Sequence, residues 1–340
     1  MITRLKKIRS VFFLLVLCNA ALSQTGKVYF TSKEITRVAT GTNYFYHFAA
    51  LDSNGNAVIY SVKKLPGWLH YNIHDNSISG RSIKTGQFPV VLVAHTKTDS
   101  AVQPFMVTVY DRQTENILCL GNSITNGVDT FNSYRRDLWQ MLHQANYNFD
   151  FIGSWSKHSN GDNMPIPDFD LDHDGHSGWT FEDILNPPSW DSVRGNLYKW
   201  LQSYTPSSVL LELGTNDIFH CRTPKEMFIN LDVIVGLLQE KNKHVRIFIA
   251  QIPPLGAQWS GKKLCGNDTS YAKAIMNLNR EIAAYVKANT SSQSPLIAVD
   301  QFSGIDPSKD MFDDIHPNTR GEKLMAERWF KALQPYLKKL

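Results

Sequence analysis

Residues 116–125 read Asn-Ile-Leu-Cys-Leu-Gly-Asn-Ser-Ile-Thr, and the reading of this stretch decides the fold. Ile117 to Leu120 form a short apolar run closed by Gly121, the pattern of a strand buried on both faces, as in a parallel sheet. Downstream, Ser133–Ala145 places Tyr134, Leu138, Met141 and Leu142 at helical spacing. A strand is predicted at Phe149–Ile152, followed by a loop of more than twenty residues rich in Asp, Pro and His. Further strands fit Val209–Leu213, Val245–Ala250 and Leu296–Val299; helices fit Lys225–Glu240, Tyr271–Ala288 and Gly321–Lys338. This alternation predicts an α/β domain over residues 113–340, a three-layer α/β/α arrangement around a parallel sheet. Chemistry in such sheets sits in loops at the carboxyl ends of the strands, and a long loop in a compact domain is more often functional than idle.

Upstream the period changes to two. Tyr44, Tyr46 and Phe48 alternate with other residues, as do Phe88, Val90, Leu92 and Ala94, and Phe105, Val107 and Val109. Turn signals interrupt the runs at Asp52–Asn56, Leu65-Pro66-Gly67, Ser79-Gly80 and Thr85-Gly86. Short strands with regular turns predict an all-β sandwich of Ig type over residues 24–112. Leu65–Ala94, with Trp68, Gly80, Gly86 and Val93 in place, resembles the Ig-like, dystroglycan-type cadherin-like family. The aromatic residues of this region read as core, and the Asp52–Asn56 cluster as a hairpin turn more readily than a calcium site. The module is expected to be a spacer or docking unit, with glycan binding as the lesser option.

The chain has 340 residues, 42% of them hydrophobic and 19% charged, a globular balance that excludes a disordered, collagen-like or coiled-coil protein. Its formal charge of +4 has a local source. Arg4, Lys6, Lys7 and Arg9 precede the apolar run Val11–Leu17 and the ending Ala21-Leu22-Ser23, which together describe a secretory signal peptide over residues 1–23. The run is too short to span a bilayer. Its removal cancels the net charge and with it any support for a nucleic-acid partner, and it predicts a periplasmic or extracellular protein. Cys18 would be the acylated residue if the segment were instead a lipoprotein signal, although Leu17 is bulky for one. In an oxidising compartment pairing of cysteines is permitted. Cys119 reads as a buried core residue, while Cys221 and Cys265 stand in polar, loop-like stretches and could form a bridge.

Four short blocks fall in the loops of the α/β region. Gly121-Asn122-Ser123 sets a serine at a strand's carboxyl end, near the amino end of the next helix, where backbone N–H groups favour developing negative charge. Asp174–Thr180 contains Gly178, whose backbone could approach a ligand. Gly214-Thr215-Asn216-Asp217 offers the side-chain amide of Asn216. Asp313-Asp314-Ile315-His316 places a carboxylate three residues before a histidine, so that it can curl back and fix the imidazole tautomer. Each block alone has a bland reading as a turn. Together, in this order, they resemble the SGNH (GDSL-like) hydrolase superfamily over about residues 114–340, which implies an SGNH/flavodoxin-like three-layer α/β/α fold. Tyr134–Leu138, Asp150–Ser154 and Asp172–Thr180 bring the resemblance closest to carbohydrate esterase family 3. One departure is Asn122 in place of the Asp of the GDS signature, which bears on loop rigidity more than on the nucleophile.

The resemblance implies Ser123 as nucleophile, His316 as general base and Asp313 as its orienting carboxylate, with Asp314 the rival at the wrong spacing. It implies an oxyanion hole of Ser123, Gly178 and Asn216, and it requires neither metal nor organic cofactor. His176, Trp179 and Asp217 are the candidates for lining the acyl or sugar site. Asp170, Asp172 and Asp174 match the first half of a calcium loop, but Phe181 stands where the closing glutamate belongs. His173 and His176 read as polar loop histidines rather than ligands. Trp155, Trp179 and Trp190 could stack on sugar rings or belong to the core. Arg135 is expected in a structural ion pair near the site. The function this implies is a secreted serine esterase that removes small acyl groups, acetyl above all, from an acetylated polysaccharide such as xylan. A short-chain lipase or thioesterase, or a glycan-binding adhesion protein with an inert hydrolase domain, are the alternatives.

Overall fold

The computed structural model describes residues 27–111, 113–159, 161, 164–266 and 268–339. The signal-peptide segment and Cys18 therefore lie outside the described residues. The first unit consists of β1 (Val28–Phe30), β2 (Arg37–Ala39), β3 (Asn43–His47), β4 (Ala50–Asp52), β5 (Ile59–Lys64), β6 (Leu69–Asn72), β7 (Ser77–Arg81), β8 (Gly86–His95) and β9 (Ser100–Tyr110). A four-stranded sheet of order β2-β9-β8-β5 faces a three-stranded sheet of order β3-β7-β6, and β1 pairs with β4 at one end. Period-two alternation puts Tyr44, Tyr46 and Phe48 from one sheet against Val90, Leu92, Phe105 and Val107 from the other, all buried. The Asp52–Asn56 stretch is a turn: Asp52 Oδ2 accepts the Asn56 backbone N–H at 3.1 Å and the Asn56 side-chain amide at 2.5 Å.

The second unit runs β10 (Glu115–Gly121), α1 (Ser123–Asn126), α2 (Tyr134–Gln144), β11 (Phe149–Ile152), β12 (Asp174–Gly175), α3 (Phe181–Leu185), α4 (Leu197–Ser203), β13 (Ser208–Glu212), α5 (Thr215–Phe219), α6 (Pro224–Lys241), β14 (Arg246–Gln251), α7 (Ala257–Ser260), α8 (Tyr271–Asn289), β15 (Leu296–Asp300), α9 (Pro307–Asp310) and α10 (Thr319–Leu333). Its sheet is parallel throughout, in the order β11-β10-β13-β14-β15, with the two-residue β12 added beside the end of β10. The alternation within β10 explains the three layers. Ile117 and Cys119 join Phe151, Leu210 and Phe248 under α2 and α10, while Leu118 and Leu120 join Val209, Leu211 and Ile249 under α3, α6 and α8. Cys119 is fully buried, which pushes its thiol up to about 12, so it behaves as an apolar core residue. Cys221 and Cys265 are joined in a disulfide, with Cα atoms 6.0 Å apart.

The two units meet along a polar seam. Thr36 Oγ1 donates to Asp172 Oδ2 at 2.7 Å, Gln87 Nε2 donates to the Phe149 carbonyl at 3.2 Å, and Arg37 pairs with the buried Asp150. Ser156 Oγ donates to Glu34 at 2.8 Å across the same seam. Among the described residues no helix is long and apolar enough to cross a membrane.

Candidate active site

Ser123 is the first residue of α1, directly beyond the end of β10. Gly121 makes that placement possible, because a Cβ there would collide with Thr125 Oγ1 and the Glu212 carbonyl of β13. The turn is then held by Asn122, whose Oδ1 accepts the Ile124 N–H at 2.8 Å as a helix cap. The departure from Asp therefore keeps the capping oxygen. What it adds is an amide Nδ2 that is buried without a hydrogen-bond partner among the described residues.

His316 reaches Ser123 from the far end of the chain. Its loop, between α9 and α10, closes on itself through the Phe312 N–H donating to the His316 carbonyl at 2.7 Å. Ser123 Oγ lies 2.8 Å from His316 Nε2, and His316 Nδ1 lies 2.8 Å from Asp313 Oδ2. The other carboxylate oxygen of Asp313 accepts the backbone N–H groups of His316 at 2.8 Å and Ile315 at 3.1 Å. Burial pushes this carboxyl up, but the bonds from the His316 N–H and imidazole and from the Ile315 N–H outweigh it, leaving Asp313 below its ordinary value. Asp314 takes a left-handed backbone conformation, with φ of 67°, and its carbonyl accepts the Gly256 N–H at 2.8 Å. Its side chain lies against Gly256, so the spacing argument and the geometry agree on Asp313 as the carboxylate bonded to the imidazole.

Gly178 and Asn216 line the same cleft as Ser123 and His316, an open pocket of about 500 Å³. Gly178 is exposed with φ of 82°, a conformation that glycine adopts at no steric cost. Asn216 Nδ2 donates to the Trp179 carbonyl at 2.9 Å. That bond ties the second block to the third and uses one amide hydrogen, so the other can be donated to a ligand. Oxygen on a carbon beside Ser123 would thus meet donors already held in place.

His176, Trp179 and Asp217 do not line the cleft, and the expectation that they touch substrate is corrected. All three side chains are buried, at 1%, 0% and 2% exposure. His176 packs against both Trp179 and Trp200, at ring-centroid distances of 4.3 and 4.9 Å, and its backbone N–H extends the β10 ladder to the Gly121 carbonyl at 2.9 Å. Trp179 donates its indole N–H to Asp191 at 3.2 Å. Asp217 accepts the Phe181 N–H at 3.2 Å, and burial, the largest influence, pushes its carboxyl up to about 7. These residues position the loops that bear Gly178 and Asn216. Arg135 is also different from expectation. It is fully buried and donates to the carbonyls of Thr125, Leu171 and Asn126 at 2.7, 3.1 and 3.2 Å, bracing α1 against the long loop, with no ion pair of its own among the described residues.

Asp170, Asp172 and Asp174 are engaged by separate protein donors. Asp170 accepts from Phe151 N–H at 3.3 Å, Asp172 accepts from Thr36, and Asp174 accepts from Ser154 and the Tyr204 hydroxyl. Among the described residues no group of three or more His, Cys, Asp or Glu side chains could hold a metal ion. Sequence reasoning missed Val128, Ser159, Ser177, Phe219 and Ile315, which complete the cleft wall. It also missed Glu212, a buried carboxyl at the end of β13 that burial alone pushes up to about 8. The signal for Glu212 was present: it is a lone charge in the apolar strand Val209–Leu213.

Residues 119–324 match the family described as GDSL-like Lipase/Acylhydrolase, and residues 28–110 match the one described as "Putative Ig domain". A "Multidomain esterase" of Ruminococcus flavefaciens is 31% identical over 242 residues, which cover 66% of this chain and 29% of that protein. The chain therefore spans less than a third of that relative's length. Two solved structures share the fold of the α/β unit. A carbohydrate esterase family 3 protein from Talaromyces cellulolyticus has a TM-score of 0.52 at 25% identity, covering 65% of this chain and 97% of the other. A family 3 carbohydrate esterase from Clostridium thermocellum has a TM-score of 0.51 at 25% identity, covering 65% and 96%.

Proposed function

The chain belongs to the GDSL-like lipase/acylhydrolase family, and from that premise we propose that it is an ester hydrolase that removes small acyl groups, acetyl above all, from polysaccharides such as xylan. The observation that carries this reading is the unbroken path from Ser123 Oγ to His316 Nε2 and from His316 Nδ1 to Asp313 Oδ2, each step 2.8 Å. Ser123 Oγ attacks the ester carbonyl carbon while His316 Nε2 takes its proton; Asp313 holds Nδ1 protonated and stabilises the imidazolium that forms. The oxyanion is held by the N–H groups of Ser123 and Gly178 and by the Asn216 amide. His316 returns its proton to the departing alcohol, which leaves an acyl-serine. Water, deprotonated by the same imidazole, attacks that ester; the acid departs and Ser123 regains its proton.

The preference for a small acyl group on a carbohydrate is supported by the similarity to the two family 3 carbohydrate esterases. Val128, Phe219 and Ile315 give the cleft an apolar wall suited to a methyl group. Export of the protein is supported by the signal-like pattern of residues 1–23 and by the Cys221–Cys265 bridge, which persists in an oxidising compartment. The test is labelling of Ser123 by a fluorophosphonate probe together with acetate release from acetylated xylan. Both are expected in the wild type and neither in Ser123→Ala. Acetate release by Ser123→Ala at the wild-type rate would end the proposal.

A further inference from the structure

Trp190 lies in a 3-10 turn (Ser189–Arg194) whose backbone is pinned from beneath. Asp191 accepts the buried Trp179 indole N–H at 3.2 Å and the Arg194 Nε–H at 2.9 Å. The Arg194 guanidinium lies 3.5 Å above the Trp155 ring, and the Arg194 carbonyl accepts the Trp200 indole N–H at 2.8 Å. Trp155, Trp179 and Trp200 are thus spent on the turn or the core. Trp190 is not: its side chain is 69% exposed, and no aromatic partner for it is found among the described residues. The position of the ring is specific. Its Cη2 atom would lie 3.8 Å from a Cβ built on Gly178, so the indole edge borders the residue proposed to donate to the oxyanion.

A rigid turn that holds a large apolar ring in water next to a reaction centre is organised for a partner with an apolar face and a polar rim. A pyranose ring is such a partner. Its axial C–H groups stack on an indole face while its equatorial hydroxyls remain hydrated. We propose that Trp190 is the platform for the sugar that carries the ester, and so the residue that makes this cleft prefer an acylated pyranose to an acyclic ester. The inference rests on the ester-hydrolase reading above and deepens it.

Two measurements separate the two claims. The first is the ratio of kcat/KM for acetylated xylo-oligosaccharide to that for triacetin, which has no ring to stack. The ratio is expected to fall about ten-fold or more in Trp190→Ala and to recover most of the way in Trp190→Phe. The second needs no turnover: titration of the Ser123→Ala protein with xylohexaose, measured by isothermal titration calorimetry. Saturable binding is expected, and it is expected to be lost when Trp190→Ala is added. A wild type that cleaves no ester, with this binding present, would overturn the hydrolase reading and leave the platform standing. An unchanged ratio together with unchanged xylohexaose binding in Trp190→Ala would overturn the platform and leave the hydrolase reading intact.

Discussion

Asp313 and Asp314 are adjacent carboxylates with opposite placements, and their contrast tests the site one residue at a time. Asp313 touches both the imidazole and the backbone of its own turn, whereas Asp314 faces Gly256 from a left-handed conformation. Asp313→Asn removes the carboxylate that fixes the His316 tautomer and is expected to lower kcat by about 10²–10⁴. Asp314→Asn suits the left-handed backbone and is expected to retain kcat within a few-fold. Steady-state kinetics on one chromogenic acetate ester decides between them, and equal losses would move the carboxylate's role elsewhere. The two positions were separable in the sequence through the resemblance, whose D-x-x-H spacing puts the carboxylate three residues before the histidine, where it can fold back onto the ring. His176, Trp179 and Asp217 were not legible in the same way. They fall inside two chemically meaningful blocks, and nothing local in either says which of its residues turn inward. The burial of His176 depends on Trp200, distant in sequence, and that of Asp217 on the Phe181 N–H.

At the scale of elements, the nucleophile depends on a four-residue helix whose start is set by one side chain. Asn122→Ala removes the Oδ1 acceptor for the Ile124 N–H and is expected to destabilise the protein by about 0.5–2 kcal/mol, with a lower kcat because Ser123 follows the cap. Asn122→Asp keeps an acceptor and is expected to retain the cap. Thermal melts and initial rates of the two variants check this, and an unaltered Tm in Asn122→Ala would show that Arg135 alone holds α1. A second constraint is the bridge from the end of α5 to the loop after α7. It closes a sequence separation of 44 residues, so its loss in a Cys221→Ser/Cys265→Ser variant is expected to cost up to about 4 kcal/mol by loop entropy, read as a lowered denaturation midpoint. The long elements were legible within a few residues: Lys225–Glu240 was expected where α6 spans Pro224–Lys241, and Phe149–Ile152 is β11. The last helix ends earlier than its expected Lys338, at Leu333, where Pro335 follows in a 3-10 turn. The short elements β12, α1, α3 and α5 were invisible because two to five residues hold too little of any period to register. Of these, β12 forms where the end of β10 supplies a partner, as Gly121 does for Gly175.

For the molecule as a whole, the informative feature is the seam where the sandwich meets the α/β unit, which the sequence reading left open. A spacer on a flexible joint would bury few polar groups, but this seam buries three carboxylates. Asp150 on β11 pairs with Arg37, while Asp170 and Asp172 come from the long loop and face Gln87 and Thr36. Burial, the dominant influence, pushes all three up, Asp172 to about 7; the Thr36 hydroxyl and Lys33 oppose the rise at Asp172, while Asp150 and Glu34 reinforce it. The folded-state value of Asp172 lies above its unfolded value of 3.8, so the folded state holds the extra proton between the two. The stability Asp172 contributes is therefore complete below pH 3.8, drains away as pH rises to about 7, and is absent above it. Asp172→Asn cannot ionise, yet its side-chain carbonyl still accepts from Thr36. It is expected to remove as much as about 1.4 kcal/mol per pH unit from the slope of stability in that window, and to be more stable than the wild type at pH 8. Urea unfolding at a series of pH values from 4 to 8 measures both. Parallel curves for the two proteins would mean that Asp172 is ionised in the folded state throughout. A wild type still the more stable at pH 8, with the slopes differing as expected, would mean that the amide introduced by Asp172→Asn finds no acceptor, because each carboxylate around it already has its own donor.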